Sequence, residues 1–194
     1  MSNPVKRFRG PAPRAANDNS NLGDRLAAAK LNWRETLYGA IGWGAAMAIS
    51  AQLSIWLSMA ALTSHYWSLT ALVFFGAACA WPFSLATFRF IAFRRAREAA
   101  FAAAFLSLTA FTIGMTAIAF AVIYRNFYAQ WHGDPFTKLW LAQLVFTTAS
   151  ALYQFAVQGV RLYLPLGLVF LFAASYLLAR SHHLPKRPKT GIIP

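Results

Sequence analysis

Residues 38–62 read YGAIGWGAAMAISAQLSIWLSMAAL, a run of 25 residues without a charged side chain. A helix needs about 20 residues to cross the 30 Å hydrocarbon core of a bilayer, so this run is long enough to span one. Its residues are apolar on all sides, whereas strands of a membrane barrel alternate apolar and polar positions. The run therefore predicts a transmembrane helix, which satisfies its own backbone hydrogen bonds in lipid.

Four further apolar stretches follow, at about 67–88, 99–124, 139–157 and 162–179. The chain of 194 residues is 58% hydrophobic and 12% charged, whereas about a quarter of the residues in soluble domains are charged. These features predict an all-α fold: a polytopic transmembrane bundle of about five helices over residues 37–180, without a soluble domain.

The count of five depends on residues 139–179. As one helix these 41 residues would be roughly 60 Å long, too long for one crossing. Two crossings joined by a turn at 158–165 are therefore predicted. In the alternative, this stretch crosses once, with one part re-entrant or lying at the interface, and the bundle has four helices.

Lys and Arg outnumber Asp and Glu by 18 to 5, and they are unevenly placed. Seven precede the first span, four lie between the second and third, and four follow the last. Positive loops stay on the cytoplasmic side, which predicts a bacterial inner-membrane protein with a cytoplasmic N-terminus. Five crossings place the last four cations outside, whereas four crossings place fifteen of the eighteen inside.

The flanking segments are basic. Residues 1–20 predict a disordered tail, residues 21–36 a juxtamembrane amphipathic helix, and residues 181–194 a basic C-terminal tail. Anionic lipid headgroups are the expected partners of these tails. Nucleic acid is disfavoured, because no nucleic-acid-binding motif accompanies the charges.

The sequence carries no recognisable catalytic chemistry. All five acids lie outside the predicted spans, and motifs for nucleophilic hydrolysis, metalloproteases and phosphate-binding loops are missing. Cys79 is the single cysteine, and the four histidines have no ligand-type neighbours at metal-site spacing. We therefore expect no enzyme activity, no cofactor and no metal.

Two segments are candidates for partner or lipid contacts. The loop 125–138, RNFYAQWHGDPFTK, presents Trp131, His132 and Asp134, although its aromatic residues also suit a belt at headgroup depth. In the last apolar stretch, Tyr153, Gln154, Gln158 and Arg161 recur at roughly helical spacing. They predict a polar path or a contact site, or simply an arginine that reaches the headgroups.

Small residues four apart predict close helix packing in lipid. The candidate positions are Gly42 and Ala46 in the first span, Gly76 and Ala80 in the second, and Gly114 in the third.

The expected function is that of a non-catalytic inner-membrane subunit or accessory factor that works with other membrane protein subunits. The alternative is a small transporter or channel whose polar path lies near Tyr153, Gln154, Gln158 and Arg161.

Overall fold

The computed structural model describes residues 18–58 and 65–181, and all regular secondary structure in these ranges is helical. The predicted all-α class is therefore confirmed. The six α-helices are α1 Asp18–Ala28, α2 Trp33–Leu57, α3 Tyr66–Ala92, α4 Arg97–Tyr128, α5 Lys138–Val157 and α6 Leu166–Ser181. Short 3₁₀ turns follow α4, at Ala129–Trp131, and α5, at Gly159–Tyr163.

Three helical segments are long and apolar enough to cross a membrane: Trp33–Leu57, Tyr66–Ala92 and Arg97–Trp131. The segments Lys138–Tyr163 and Leu166–Ser181 meet the same criterion together, with a bend of 74° between them. The described chain thus has three such helices, or four if the bent pair is one broken span. This pattern is compatible with a membrane protein.

The start of the bundle differs from the sequence expectation. The structure divides residues 21–36 between α1, which begins at Asp18, and α2, which begins at Trp33. Asn32 marks the division, because its side-chain oxygen accepts the N–H of Arg34 at 3.2 Å and caps α2. The predicted tails fall largely on residues 1–17 and 182–194, outside the described residues, as do residues 59–62 of the first predicted span.

Helices α2, α3 and α4 pack as antiparallel neighbours. Near one end of the α2–α3 contact, the amide of Gln52 donates to the Thr70 hydroxyl at 2.6 Å. Towards the other end, an added Cβ on Gly44 would lie 2.9 Å from the carbonyl oxygen of Phe74. Between α3 and α4, the Ser84 hydroxyl reaches the carbonyl oxygen of Ser107 at 3.3 Å.

Helix α6 runs antiparallel along α4, whereas α5 is bent by 74° from α6 and stays beside the end of α4. Phe155 of α5 lies against Phe120, with ring centroids 6.1 Å apart. Phe172 of α6 lies against Phe105, with ring centroids 5.1 Å apart. From Trp140 to Phe155, α5 contacts residues 120–125 of α4, and the chain reaches Phe105 only in α6. Two full crossings would instead require α5 to extend along the length of α4 and α6 to run parallel to α4.

The charged residues separate to the two ends of the bundle. The end formed by the start of α2, the end of α3, the start of α4 and the end of α6 is called the basic face. It carries Arg25, Lys30, Arg34, Arg89, Arg94, Arg95, Arg97 and Arg180. The other end, called the opposite face, carries Arg125, Lys138 and Arg161 among the described residues.

An ion pair ties the basic face together. Arg89 of α3 donates to both carboxylate oxygens of Glu35 in α2, at 2.5 and 2.6 Å. Its other terminal nitrogen donates to the carbonyl oxygen of Lys30 at 2.8 Å. These charge-assisted hydrogen bonds, two of them from one guanidinium nitrogen, join the end of α3 to the start of α2.

Candidate functional site: the break between α5 and α6

The chain is interrupted between α5 and α6, within the bundle. Gln158 ends α5, the 3₁₀ turn Gly159–Tyr163 follows, and α6 starts at Leu166 after a cis Leu164–Pro165 bond. A break leaves backbone groups without their usual helical partners. In lipid such groups need protein or water partners, because the hydrocarbon supplies none.

Two serines of α2 supply these partners. The Ser50 hydroxyl accepts the N–H of Gly167 at 2.8 Å and approaches the carbonyl oxygen of Leu162 at 3.4 Å. One turn later, the Ser54 hydroxyl donates to the carbonyl oxygen of Arg161 at 2.9 Å. Helix α2 therefore holds both sides of the break.

A buried tyrosine fixes the turn to α4. The hydroxyl of Tyr163 donates to the Thr116 hydroxyl at 2.7 Å, and Thr116 donates to the carbonyl oxygen of Thr112 at 2.8 Å. From α2, the indole N–H of Trp43 donates to the Thr112 hydroxyl at 2.9 Å. These four side chains form a hydrogen-bonded network that connects α2, α4 and the turn.

Sequence reasoning missed this network. Serines and threonines in apolar helices most often bond back to their own helix, so single hydroxyls carry little information. The sequence does contain a signal: Ser50 and Ser54 are four positions apart, as are Thr112 and Thr116. Residues four apart lie on one face of a helix.

A cavity of about 540 Å³ lies beside the break, on its opposite-face side. Its polar lining consists of Ser54, Ser58, Gln154, Gln158 and Arg161. The structure therefore brings together three of the four polar residues that the sequence singled out. Tyr153 does not line this cavity, and 71% of its surface is exposed. The amide of Gln154 also donates to the Tyr124 hydroxyl at 3.2 Å.

Arg161 is a cation without a protein counterion in the described chain. The ion pairs found there are Arg89–Glu35 and Arg94–Asp24, and the other three acids of the sequence do not line the cavity. The adjoining residues 59–64 contain no acid. The cavity thus combines a positive charge with amide and hydroxyl groups.

A smaller cavity of about 110 Å³ lies on the other side of the turn. Trp43, Met47, Leu108, Val160 and Leu171 are among its mainly apolar lining residues. The turn Gly159–Tyr163 therefore has a polar cavity on one side and an apolar one on the other.

The loop residues proposed from sequence lie at the opposite face but outside this cavity. Trp131 is 61% exposed and packs on Phe127, with ring centroids 5.6 Å apart. His132 lies 3.3 Å from the hydroxyl of Thr147, which attaches the loop to α5. Asp134 is exposed, and its carbonyl oxygen accepts the Thr137 hydroxyl at 2.8 Å.

The small residues proposed for packing have different surroundings. Gly76 touches α4, because an added Cβ would lie 2.8 Å from the Cα of Thr116, and Ala80 is fully buried. Ala46 packs against the core cluster between α2, α3, α4 and α6. Added Cβ atoms on Gly42 or Gly114 would meet nothing within 4 Å in the described structure.

The part of the chain that the structure describes has few side chains of the types that bind metals or act in catalysis. Among those residues, no group of three or more His, Cys, Asp or Glu side chains is placed to hold a metal ion. Comparisons with protein-family models, curated proteins and solved structures gave no match to this chain.

Proposed function

We propose that the chain crosses the bacterial inner membrane four times, with both termini in the cytoplasm. Helix α6 runs antiparallel along α4, and α5 contacts only the end of α4, which supports one broken or re-entrant crossing over two. Four crossings also place fifteen of the eighteen cations of the sequence on the cytoplasmic side, which agrees with the positive-inside rule. This topology replaces the five crossings expected from segment length.

We further propose that the protein is a non-catalytic subunit or accessory factor of a membrane assembly. The observation that carries this proposal is the exposure of α5. Ala151 and Phe155 are the buried residues of this 20-residue helix. Phe146 and Tyr153 are 73% and 71% exposed and lie seven residues apart on the outward side of α5. A transmembrane helix of another subunit is the partner that suits this surface, because helices associate in lipid through side-chain packing and a partner helix would bury both rings.

Purification in mild detergent tests the subunit role. We expect a second membrane protein to co-purify with the full chain at a fixed ratio, and the double variant Phe146→Ala, Tyr153→Ala to lose most of it. The matched control is Phe75→Ala, which truncates an aromatic residue of α3 that is 63% exposed. Equal loss from both variants, or a chain that purifies without a partner, contradicts the proposal.

The cavity beside the break favours a second candidate, a small transporter or channel. Interrupted helices that line polar cavities are typical of substrate sites in transporters. In this function the path contains Gln154, Gln158 and Arg161, and Tyr153 has no part in the cavity lining. Solute or ion flux through liposomes containing the purified chain, abolished by Arg161→Leu, would favour this candidate over the subunit role.

A further inference from the structure

The cavity lining contains a cation whose charge the protein leaves unbalanced. Arg161 borders the cavity, and the carbonyl oxygen of its own backbone is held by Ser54. Within residues 18–58 and 65–181, its guanidinium has no ion pair. Arg161 is exposed, so its guanidinium is free to bind an anion that enters the cavity. Its positive charge therefore favours an anionic ligand.

Aromatic side chains indicate the depth of this cavity in the membrane. Trp56 of α2 is 68% exposed and Trp67 of α3 is 76% exposed, close to the ends of their helices at the opposite face. Tyr124, which bonds Gln154 of the cavity, packs on Tyr128 in the same region. Exposed Trp and Tyr concentrate at the level of lipid headgroups. Phospholipid phosphates are consequently the anions present at the depth of Arg161.

The remaining lining suits a headgroup larger than a bare ion. Gln158 and Gln154 carry amide groups, and Ser54 and Ser58 carry hydroxyl oxygens. A volume of about 540 Å³ falls in the range of about 300–1,000 Å³ that is usual for small-molecule sites. Arginine binds phosphate through two parallel N–H···O bonds, which makes it the appropriate ligand for this group.

We propose that this cavity binds the phosphate of a phospholipid from the adjoining leaflet. Arg161 binds the phosphate oxygens, and Gln158 and Gln154 bind the polar part of the headgroup. The site lies at the opposite face, which carries few cations among the described residues. It does not depend on the subunit role, so each proposal is tested separately.

Native mass spectrometry of the delipidated full-length chain tests the assignment, with phosphatidylglycerol as the probe. We expect Arg161→Gln to weaken the tightest binding event by about tenfold or more, which corresponds to about 1.4 kcal/mol. Arg161→Lys should give an intermediate affinity, since lysine keeps the charge but not the bidentate geometry. Diacylglycerol, which has no phosphate, should bind wild type and Arg161→Gln equally weakly.

Arg125→Gln is the matched control. Arg125 lies on the same face with its guanidinium 5.7 Å from the centre of the Trp140 ring, and it does not line the cavity. Its replacement should leave the tightest phosphatidylglycerol affinity within twofold of wild type. Thermal unfolding of every variant establishes that the chain is folded. If Arg161→Gln does not fold, Arg161→Lys is compared with wild type instead.

Three results would overturn the lipid site. One is equal phosphatidylglycerol affinity of wild type and both Arg161 variants. Another is an equal loss in Arg125→Gln, which would show a general effect of charge on the opposite face. The last is tighter binding of inorganic phosphate than of phosphatidylglycerol, which would assign the cavity to a free phosphate.

Discussion

At the scale of single residues, Tyr163 is the side chain on which the position of the turn depends. Its ring is buried and 8% exposed, and its hydroxyl contacts Thr116 of α4, 47 positions earlier in the chain. Thr116 is fully buried and passes the hydrogen bonding on to Thr112. Because these groups are buried, each depends on a partner within the protein: the Thr116 hydroxyl on the Thr112 carbonyl oxygen, and the Thr112 hydroxyl on the Trp43 indole.

Replacing Tyr163 by Phe removes one hydrogen bond from this network without opening a large cavity. Hydrogen bonds between membrane helices contribute about 0.6 kcal/mol on average and up to about 1.7 kcal/mol. We expect the free energy of unfolding to decrease by an amount in that range. Titration with a denaturing detergent in mixed micelles measures it. Tyr153→Phe is the control and should change it little, because Tyr153 is mostly exposed. Equal effects of the two variants would be evidence against the network.

Gly76 illustrates how closely α3 and α4 approach. A Cβ at this position would overlap Thr116, lying 2.8 Å from its Cα. We expect Gly76→Ala to destabilise the chain by about 1–3 kcal/mol, the usual cost of overpacking, in the same unfolding titration. Gly114→Ala should change stability by less than about 0.5 kcal/mol, because its added Cβ meets open space. Unchanged stability of Gly76→Ala would mean that α3 and α4 lie farther apart than in this structure.

At the scale of elements, the interruption between α5 and α6 is stabilised by a different helix, α2. Ser50 accepts the N–H of Gly167, one of the first N–H groups of α6, which have no partner inside the helix. Gly167 is itself buried, so water does not replace the serine. The start of α6 is thus capped by a side chain distant in sequence.

Ser50→Ala should loosen the start of α6. The substitution leaves the Gly167 N–H buried without an acceptor, at a cost of about 1–3 kcal/mol. We expect backbone amides around Gly167 to exchange hydrogen for deuterium about tenfold faster or more, measured by exchange mass spectrometry. Ser58→Ala is the control, since the Ser58 hydroxyl donates to carbonyls of its own helix. Unchanged exchange in Ser50→Ala would show that α2 does not hold the break.

At the scale of the whole molecule, charge and helix direction lead to the same topology. In the described part of the chain, Arg180 at the end of α6 lines a cavity with Arg97 and Glu98 at the start of α4. Helix α6 therefore ends at the basic face, where α2 begins and α3 ends. Four crossings account for this arrangement without an exception to the positive-inside rule.

Reporter fusions after Pro194 measure the side of the C-terminus directly. We expect green fluorescence from a fluorescent protein that matures in the cytoplasm, and no activity from alkaline phosphatase, which needs the periplasm. The same pair of reporters inserted in the loop at residue 134 provides the control and should give the reverse pattern. Active phosphatase after Pro194 would restore the five-crossing topology.

The polar residues of the last apolar stretch show how far prediction from sequence reaches. Gln154, Gln158 and Arg161 stand out because polar groups are rare in lipid-exposed helices, and the structure brings them to one cavity. Ser50 and Thr116 do not stand out, because such hydroxyls are common in membrane helices and satisfy themselves locally. Their roles at the break depend on partners more than forty positions away.

Helix formation and the uneven placement of charge are visible along the chain itself, because they follow from runs of neighbouring apolar residues and from counts of cations between them. The direction of α6, the 74° bend and the cavity beside Arg161 require knowledge of which helices meet. A run of apolar residues is stable in the membrane in either direction. Its sequence therefore does not show which helix it packs against. Packing along α4 and hydrogen bonds from α2 supply that information in the folded chain.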